Sequence, residues 1–313
     1  MRRYAALSLA ASLLLGCSTE ELPPVEPAPL SLKSAPLFPE PTELQSNQLA
    51  RLDTSLHGSI ANLNLSWVAD MGIVAIPTCL REAGDVTLPV EGRDLILVVL
   101  GNALRTAGFR EHPDARNNLV VPVLIQALDE KVPHVQRSAA FAARFVDDAR
   151  LVPALQPLLG APDFVQEQAV LALGTSGHET EVLPIAKLFF GTADAKFRYS
   201  CLYSLATMCL RHGVDVASVL QQNAGSFAEK DLPNVESVRR RFVEFKAITV
   251  VFGELSSRTP TQAHEANEKL RKLTGKQIAF DPAGDETARA RGIEEWRNYL
   301  LKGYWLVPPP SKS

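Results

Sequence analysis

Three stretches of this sequence share one pattern: VPVLIQAL (residues 121–128), VPALQPLL (152–159) and LPIAKLFF (183–190). Their prolines are 31 residues apart. Each stretch is followed by a second one, VQRSAAFAARFV (135–146), VQEQAVLALGTS (165–176) or FRYSCLYSLATM (197–208). A fixed period of this length is typical of stacked structural repeats, because a single unit cannot bury its apolar face alone. The sequence therefore predicts an array of repeats over residues 119–213.

Each repeat reads as two amphipathic helices with apolar residues at a period of 3.6. In the first helix we expect the proline at or near the first turn, where its missing N–H costs nothing. In the middle repeat, Asp163 is placed to cap the second helix, and Gln166 lies three residues further on. We therefore predict an all-α fold: a right-handed α-solenoid of helical hairpins, with about four repeats and capping helices at both ends.

The flanking segments extend this organisation. Upstream, residues 74–80 and 93–106 predict a divergent repeat, whose intervening loop, Arg81 to Gly92, is longer than in the other repeats. Downstream, we predict a helix over 232–255, a helix that opens with a capping box at Thr259–Gln262, and a last helix over 286–301, capped by Asp285. The predicted domains are an N-terminal cap with the divergent repeat (42–118), three repeats (119–213) and a C-terminal helical cap (214–313).

Residues 163–174, DFVQEQAVLALG, resemble the second helix of HEAT repeats, including the variant in bilin-lyase-type proteins. The arginine usual after the valine is Gln136 in the first repeat and Gln166 in the second; Arg198 keeps it. The resemblance implies a HEAT-like solenoid whose second helices line a concave side that binds partners. On that side we predict a partner-binding strip: Gln136, Arg137, Arg144, Gln166, Gln168, Arg198, Tyr199 and Tyr203.

The N-terminus resembles a bacterial lipoprotein signal. Arg2 and Arg3 precede an uncharged apolar run over residues 4–15, and Leu-Leu-Gly then leads directly to Cys17. The run is too short to span a bilayer as a helix. We predict a signal peptide over residues 1–16 and attachment of the mature chain to the membrane by lipid on Cys17.

A proline-rich stretch follows the lipid-attachment site. Seven prolines between Ser18 and Pro41 predict a semi-rigid tether over residues 17–41. An alternative is that Leu30 to Phe38 docks onto the folded part. The expected location is the cell envelope. An aspartate directly after the lipid-attached cysteine would favour retention in the inner membrane, and this chain has Ser18 there. Ser18 therefore favours the outer membrane if the host has two membranes.

We predict that the remaining cysteines are small, buried, apolar packing residues. They are Cys79, Cys201 and Cys209. The alternative is that they bind a metal or carry out redox chemistry. Cys201 takes the small-residue position that Ala139 and Ala169 hold in the other repeats. On one helix, Cys201 and Cys209 would be about 12 Å apart, beyond the reach of a disulfide.

We find no catalytic or metal-binding constellation in the sequence. His178-Glu179 and His264-Glu265 both lack the second histidine of a zinc helix. The basic run Arg239 to Arg241 predicts a solvated helix surface with partners such as Glu236 and Glu244, with a phosphate or carboxylate contact as the alternative. The formal net charge of −3 gives no global attraction for nucleic acid. We therefore expect no cofactor, no metal, no nucleic-acid partner and no catalytic residue, and we interpret the chain as a non-enzyme.

Three functional hypotheses remain open at this level. The first is an interaction scaffold or adaptor in the cell envelope, tethered to the membrane and binding a protein whose identity the sequence does not reveal. The second is an enzyme accessory or small-molecule binder of the chromophore type, in which Tyr199, Tyr203 or a cysteine contacts the ligand. The third is a purely structural spacer.

Overall fold

Helices form all the regular secondary structure in the computed structural model, which describes residues 38, 40–56, 66–106, 113–257 and 259–306. The predicted signal peptide, Cys17 and the predicted tether up to residue 37 lie outside the described residues. Among the described helices, none has both the length and the apolar character of a membrane span. The helices are α1 (Glu43–Leu56), α2 (Ser66–Asp70), α3 (Ile76–Gly84), α4 (Val90–Thr106), α5 (Pro113–Asp129), α6 (Pro133–Ala143), α7 (Val152–Leu155), α8 (Asp163–Ser176), α9 (Glu179–Gly191), α10 (Ala195–His212), α11 (Val216–Gln222), α12 (Leu232–Glu254), α13 (Pro260–Thr274), α14 (Glu286–Asn298) and α15 (Tyr304–Leu306).

The helices pack as hairpins in two rows. Each first helix contacts its own second helix, in the pairs α3–α4, α5–α6, α7–α8, α9–α10 and α11–α12. The second helices α4, α6, α8 and α10 also contact one another in sequence, and first helices contact their neighbours at α3–α5, α5–α7 and α9–α11. This arrangement confirms the predicted all-α, HEAT-like solenoid.

One hydrophobic core runs along both rows, from Leu49 in α1 to Trp305 in α15. Small residues occupy equivalent positions of the second helices: Ala139 in α6, Ala169 in α8 and Cys201 in α10 are fully buried in this core. The prediction that Cys201 is a packing residue is therefore confirmed. Phe38, which lies within the stretch predicted as a tether, also packs against this core.

The proline position is correct for one repeat and wrong for two. Pro153 lies in the first turn of α7, whereas Pro122 and Pro184 lie inside α5 and α9. α9 begins at Glu179 because Glu181 accepts a 2.7 Å hydrogen bond from the N–H of His178, which satisfies a free donor at the helix start. The helix therefore starts more than one turn before its proline.

The loop of the divergent repeat is also shorter than predicted. α3 continues to Gly84 and α4 begins at Val90, because Glu82 and Ala83 are buried and hold the last turn of α3 against the core. At the C-terminal end, Asp285 caps α14 as predicted, accepting from the N–H of Ala288 at 2.7 Å. The capping box at Thr259 does not form, because the Thr259 hydroxyl donates to the Gln262 side chain instead.

α14 is followed by a π-helical turn (Tyr299–Gly303) and by the short helix α15. The π turn contacts α10, and the aromatic rings of α15 pack on α12: Trp305 lies 4.7 Å from Phe242 and 5.0 Å from Phe245 between ring centroids. The C-terminal segment thus returns to helices of the repeat array, which positions its side chains beside the predicted partner-binding strip.

Candidate partner-binding face of the second helices

Four of the eight predicted strip residues lie close together on the second helices or directly after one, and all four are half-buried. Arg144 donates a 3.1 Å hydrogen bond to the side chain of Gln168, which joins α6 to α8. Burial lowers the pKa of Arg144, and Tyr203 on α10 lies close enough to act on its charge. Burial raises the pKa of Tyr199, and its neighbour Tyr203 adds to that effect. Arg144, Gln168, Tyr199 and Tyr203 define what we call the second-helix face.

The two glutamines that replace the HEAT arginine are not part of this face. Gln136 donates from its amide to the carbonyl oxygen of Leu128 at 3.0 Å, and Gln166 donates to that of Leu159. Leu128 lies in the last turn of α5, and Leu159 lies in the 3-10 segment Gln156–Gly160 that follows α7. Carbonyls at such helix ends lack a partner within the helix itself. Each glutamine therefore fastens the second helix to the first helix of its own repeat.

Arg137 belongs to a set of polar contacts between neighbouring second helices. The carboxylate of Asp94 on α4 accepts from Arg137 at 3.3 Å and also from Ser138, both on α6. Glu167 on α8 makes the equivalent contacts on α10, accepting from Lys196 at 3.0 Å and Ser200 at 2.9 Å. Exposed ion pairs add little stability. We infer that these contacts mainly fix the register of one repeat on the next.

Arg198 is exposed and lies with its guanidinium 4.7 Å from the centre of the Phe189 ring. Phe189 also lines an open groove of about 690 Å³ between α10 and α12. The groove, here the α10–α12 groove, is lined by Phe189, Leu202, Pro233, Glu236, Ser237, Val238, Arg240, Arg241, Glu244 and Trp305. Arg198 thus lies where the second-helix face meets a groove with aromatic and charged walls.

The basic run on α12 has two different roles. Arg239 and Arg240 both donate to Glu236, at 2.6 and 2.7 Å, and hold the pKa of that carboxyl at about 2. This confirms the predicted glutamate pairing for two of the three arginines. Arg241 instead donates to the carbonyl oxygen of Tyr304 and lies over the Tyr304 and Trp305 rings at 5.2 and 5.3 Å. Arg241 therefore fixes the C-terminal segment to α12.

A second, smaller cavity of about 220 Å³ lies where α14 approaches the second helices. We call it the arginine cavity; its polar lining comprises Arg144, Thr175, Tyr203, Thr207, Arg211, Glu294, Arg297 and Asn298. The last three belong to α14 and were missed by the sequence analysis. No local pattern identifies them, because the contact joins residues about 150 positions apart in the chain.

The three described thiols are free and buried. Burial raises the pKa of Cys79 and Cys201 to about 12 and that of Cys209 to about 11. Such thiols are protonated and unreactive at neutral pH. Within the described part of the chain, no cluster of three or more His, Cys, Asp or Glu side chains is arranged to hold a metal ion.

Comparison with known proteins agrees with this architecture over the central segment. A family model of HEAT repeats matches residues 121–206, which run from the middle of α5 into α10. No curated protein matches the chain. The segment that carries the second-helix face is therefore similar to HEAT repeats.

Proposed function

We propose that this protein is a membrane-anchored helical-repeat lipoprotein that serves as a protein–protein interaction scaffold or adaptor in the cell envelope. The lipoprotein-like signal ending at Cys17 and the proline-rich stretch after it support the anchor and its reach. HEAT repeats commonly mediate protein–protein interaction, which supports a binding role. In this proposal the chain binds and positions a protein partner and performs no catalysis.

The observation that carries the proposal is the second-helix face beside the α10–α12 groove. Arginine and tyrosine are enriched among the residues that dominate binding energy at protein interfaces. On α10, Arg198 directly precedes Tyr199, and Tyr203 lies about one turn further on. Arg144, directly after α6, and Gln168 on α8 extend the face beyond α10. A partner that covers this face would bury rigid aromatic area at a low cost in conformational entropy.

The test is affinity capture of the full-length protein from its native envelope, with partners identified by mass spectrometry. We expect a specific partner that the variant Arg198→Glu/Tyr199→Ala recovers at about one tenth of the wild-type level or less, since two interface hot spots are removed. The matched control is Lys187→Glu, which reverses an exposed charge on the first helix of the same repeat. If the wild type, the double variant and the control recover the same amount of the partner, the second-helix face is not its binding site.

The α10–α12 groove favours one alternative, a small-molecule-binding accessory protein. Its volume of about 690 Å³ lies within the range of ligand pockets, and Phe189 and Trp305 contribute aromatic surface. The buried, protonated cysteines give this alternative no support as attachment points. Visible absorbance of the purified full-length protein, lost in Trp305→Ala and retained in Lys187→Glu, is the result that would favour it.

A further inference from the structure

Three guanidinium groups converge on the arginine cavity from three different helices. Arg144 directly follows α6, Arg211 lies at the end of α10 and Arg297 lies on α14. Arginines repel one another at close range, so a cluster of this kind is maintained only where the fold holds it or an anion compensates it. The cavity is therefore a place to look for a bound anion.

Among the described residues, carboxylates pair with two of the three guanidinium groups, those of Arg297 and Arg211. Glu294 is the one acidic side chain in the lining, and it accepts from Arg297 and from Asn298. Asp147 approaches Arg211 from outside the cavity at 3.5 Å, a long pair between half-exposed side chains. The lining keeps a net positive charge, whereas the chain as a whole carries a formal charge of −3.

Arg144 is the least compensated of the three arginines. Its side chain donates to an amide oxygen, that of Gln168, and the structure gives it no carboxylate partner within 4 Å among the described residues. It packs over the Phe141 and Phe145 rings at 5.7 and 5.8 Å, which keeps the guanidinium in place. A fixed, partly desolvated guanidinium binds an oxyanion more strongly than a mobile exposed one.

Other donors in the lining are already engaged. The hydroxyl of Thr207 donates to the carbonyl of Tyr203 at 2.7 Å, and that of Thr175 donates to the carbonyl of Arg144 at 3.0 Å. The donors left for a ligand are the guanidinium N–H groups and the phenol of Tyr203. Such a donor set matches the oxygens of carboxylate or phosphate and offers little to a cation.

We propose that the arginine cavity binds a small dianion with carboxylate or phosphate oxygens, held by Arg144, Arg211 and Arg297. The volume of about 220 Å³ suits such a molecule with a few waters, since each water occupies about 30 Å³ in the liquid. A bound dianion bridges α6 and α10 to α14. Its binding therefore also tightens the C-terminal segment on the repeat array. This proposal does not depend on the identity of a protein partner.

The test is titration calorimetry on the purified full-length protein with sodium phosphate and, separately, sodium succinate, at constant ionic strength set by chloride. We expect saturable binding of one of the two probes, which also identifies the ligand class. Arg144→Gln and Arg297→Gln should each weaken it by about tenfold or more, as loss of a charge-assisted bidentate contact does. Lys187→Gln should bind like the wild type.

Hydrogen exchange supplies a second measurement, which is independent of the variants. Amides of α14 should exchange more slowly when the effective probe is bound, whereas amides of α3 should not change. If Arg144→Gln or Arg297→Gln does not fold, binding by Arg211→Gln tests the proposal instead. The Arg211 side chain is 44% exposed, so this substitution leaves no void in the core. The proposal is overturned if neither probe shows saturable binding below about 10 mM. It is also overturned if all variants bind the probe as tightly as the wild type.

Discussion

Gly174 and Ser204 lie at a close approach of α8 and α10: a Cβ added to Gly174 would lie 2.7 Å from the Cα of Ser204. The hydroxyl of Ser204 also donates to the carbonyl of Val170 at 2.8 Å across the same contact. Gly101 plays the same part between α4 and α6, where a Cβ would lie 3.1 Å from the Cα of Ala142. Repeats therefore stack on glycine at two of the interfaces between second helices.

We expect Gly174→Ala to lower the free energy of unfolding by about 2 kcal/mol, because the added methyl group forces two helix backbones apart. The effect should appear even though alanine favours helix over glycine by about 1 kcal/mol. Gly253→Ala is the control, since a Cβ there meets open space and should leave stability unchanged or slightly raised. Urea unfolding followed by circular dichroism measures both; equal midpoints would contradict the close-packing argument.

The buried cysteines should resist alkylation in the folded protein. With thiol pKa values of about 11 to 12, the thiolate fraction at pH 8 is at least a hundredfold below that of a free cysteine. We expect mass spectrometry to find Cys79, Cys201 and Cys209 unmodified by iodoacetamide in buffer and all three modified in urea. The Cys17→Ser variant is used, so that position 17 does not contribute. Rapid labelling of any of the three in buffer would show that its surroundings open.

Asp215 should make stability sensitive to acid. It caps α11, accepting from Ser218 N–H at 3.0 Å, and a hydrogen bond from Lys246 lowers its pKa. A lowered folded-state pKa stabilises the fold above the unfolded value of about 3.9, and this contribution is lost as the pH falls through the folded pKa. Asp215→Ala should therefore cost about 1 kcal/mol at pH 7, as for a lost cap, with the difference shrinking toward pH 2.

A companion variant separates the cap from the charge. In Lys246→Gln the cap remains but the main cause of the lowered pKa is gone, so the variant should be less stable than the wild type at pH 7 and should lose less stability as the pH falls to 2. Urea midpoints measured across pH 2 to 7 give the comparison. Superimposable pH profiles for wild type and Lys246→Gln would contradict the assigned pair.

The proposed anchor predicts a change in location without a change in fold. Cys17→Ser removes the thiol that lipoprotein processing modifies, so the variant should move from the membrane fraction to the soluble fraction. Its far-ultraviolet circular dichroism and urea midpoint should equal those of the wild type, because Cys17 lies outside the repeats. A variant that still sediments with membranes after a high-salt wash would contradict lipid anchoring.

The sequence was sufficient to predict features that recur in each repeat. It was insufficient to predict contacts that occur once in the structure. The 31-residue period predicted two rows of helices, and the register of Cys201 with Ala139 and Ala169 predicted its burial. The start of α9 was misplaced because it depends on Glu181, which also accepts from Gln156 of the preceding repeat at 2.8 Å. A capping interaction of this kind has no signature in local periodicity.

The predicted strip shows the same division. Sequence register placed its residues on the second helices, but it could not distinguish Arg144, which bonds to Gln168 of the next repeat, from Gln136, which bonds to a carbonyl of its own repeat. Side-chain direction depends on the packed neighbours as well as on helical spacing. The return of α14 to the repeats, which completes the arginine cavity, rests on non-local packing that no period in the sequence encodes.

The packing of Trp305 on Phe242 and Phe245 also bears on the order in which the protein matures. During synthesis, about 60 residues separate the emergence of α12 from that of the tryptophan that covers it. Until the tryptophan emerges, no ring of α15 covers these two phenylalanines. A chain cut short before Trp305 would leave both rings more exposed than they are in the full-length protein.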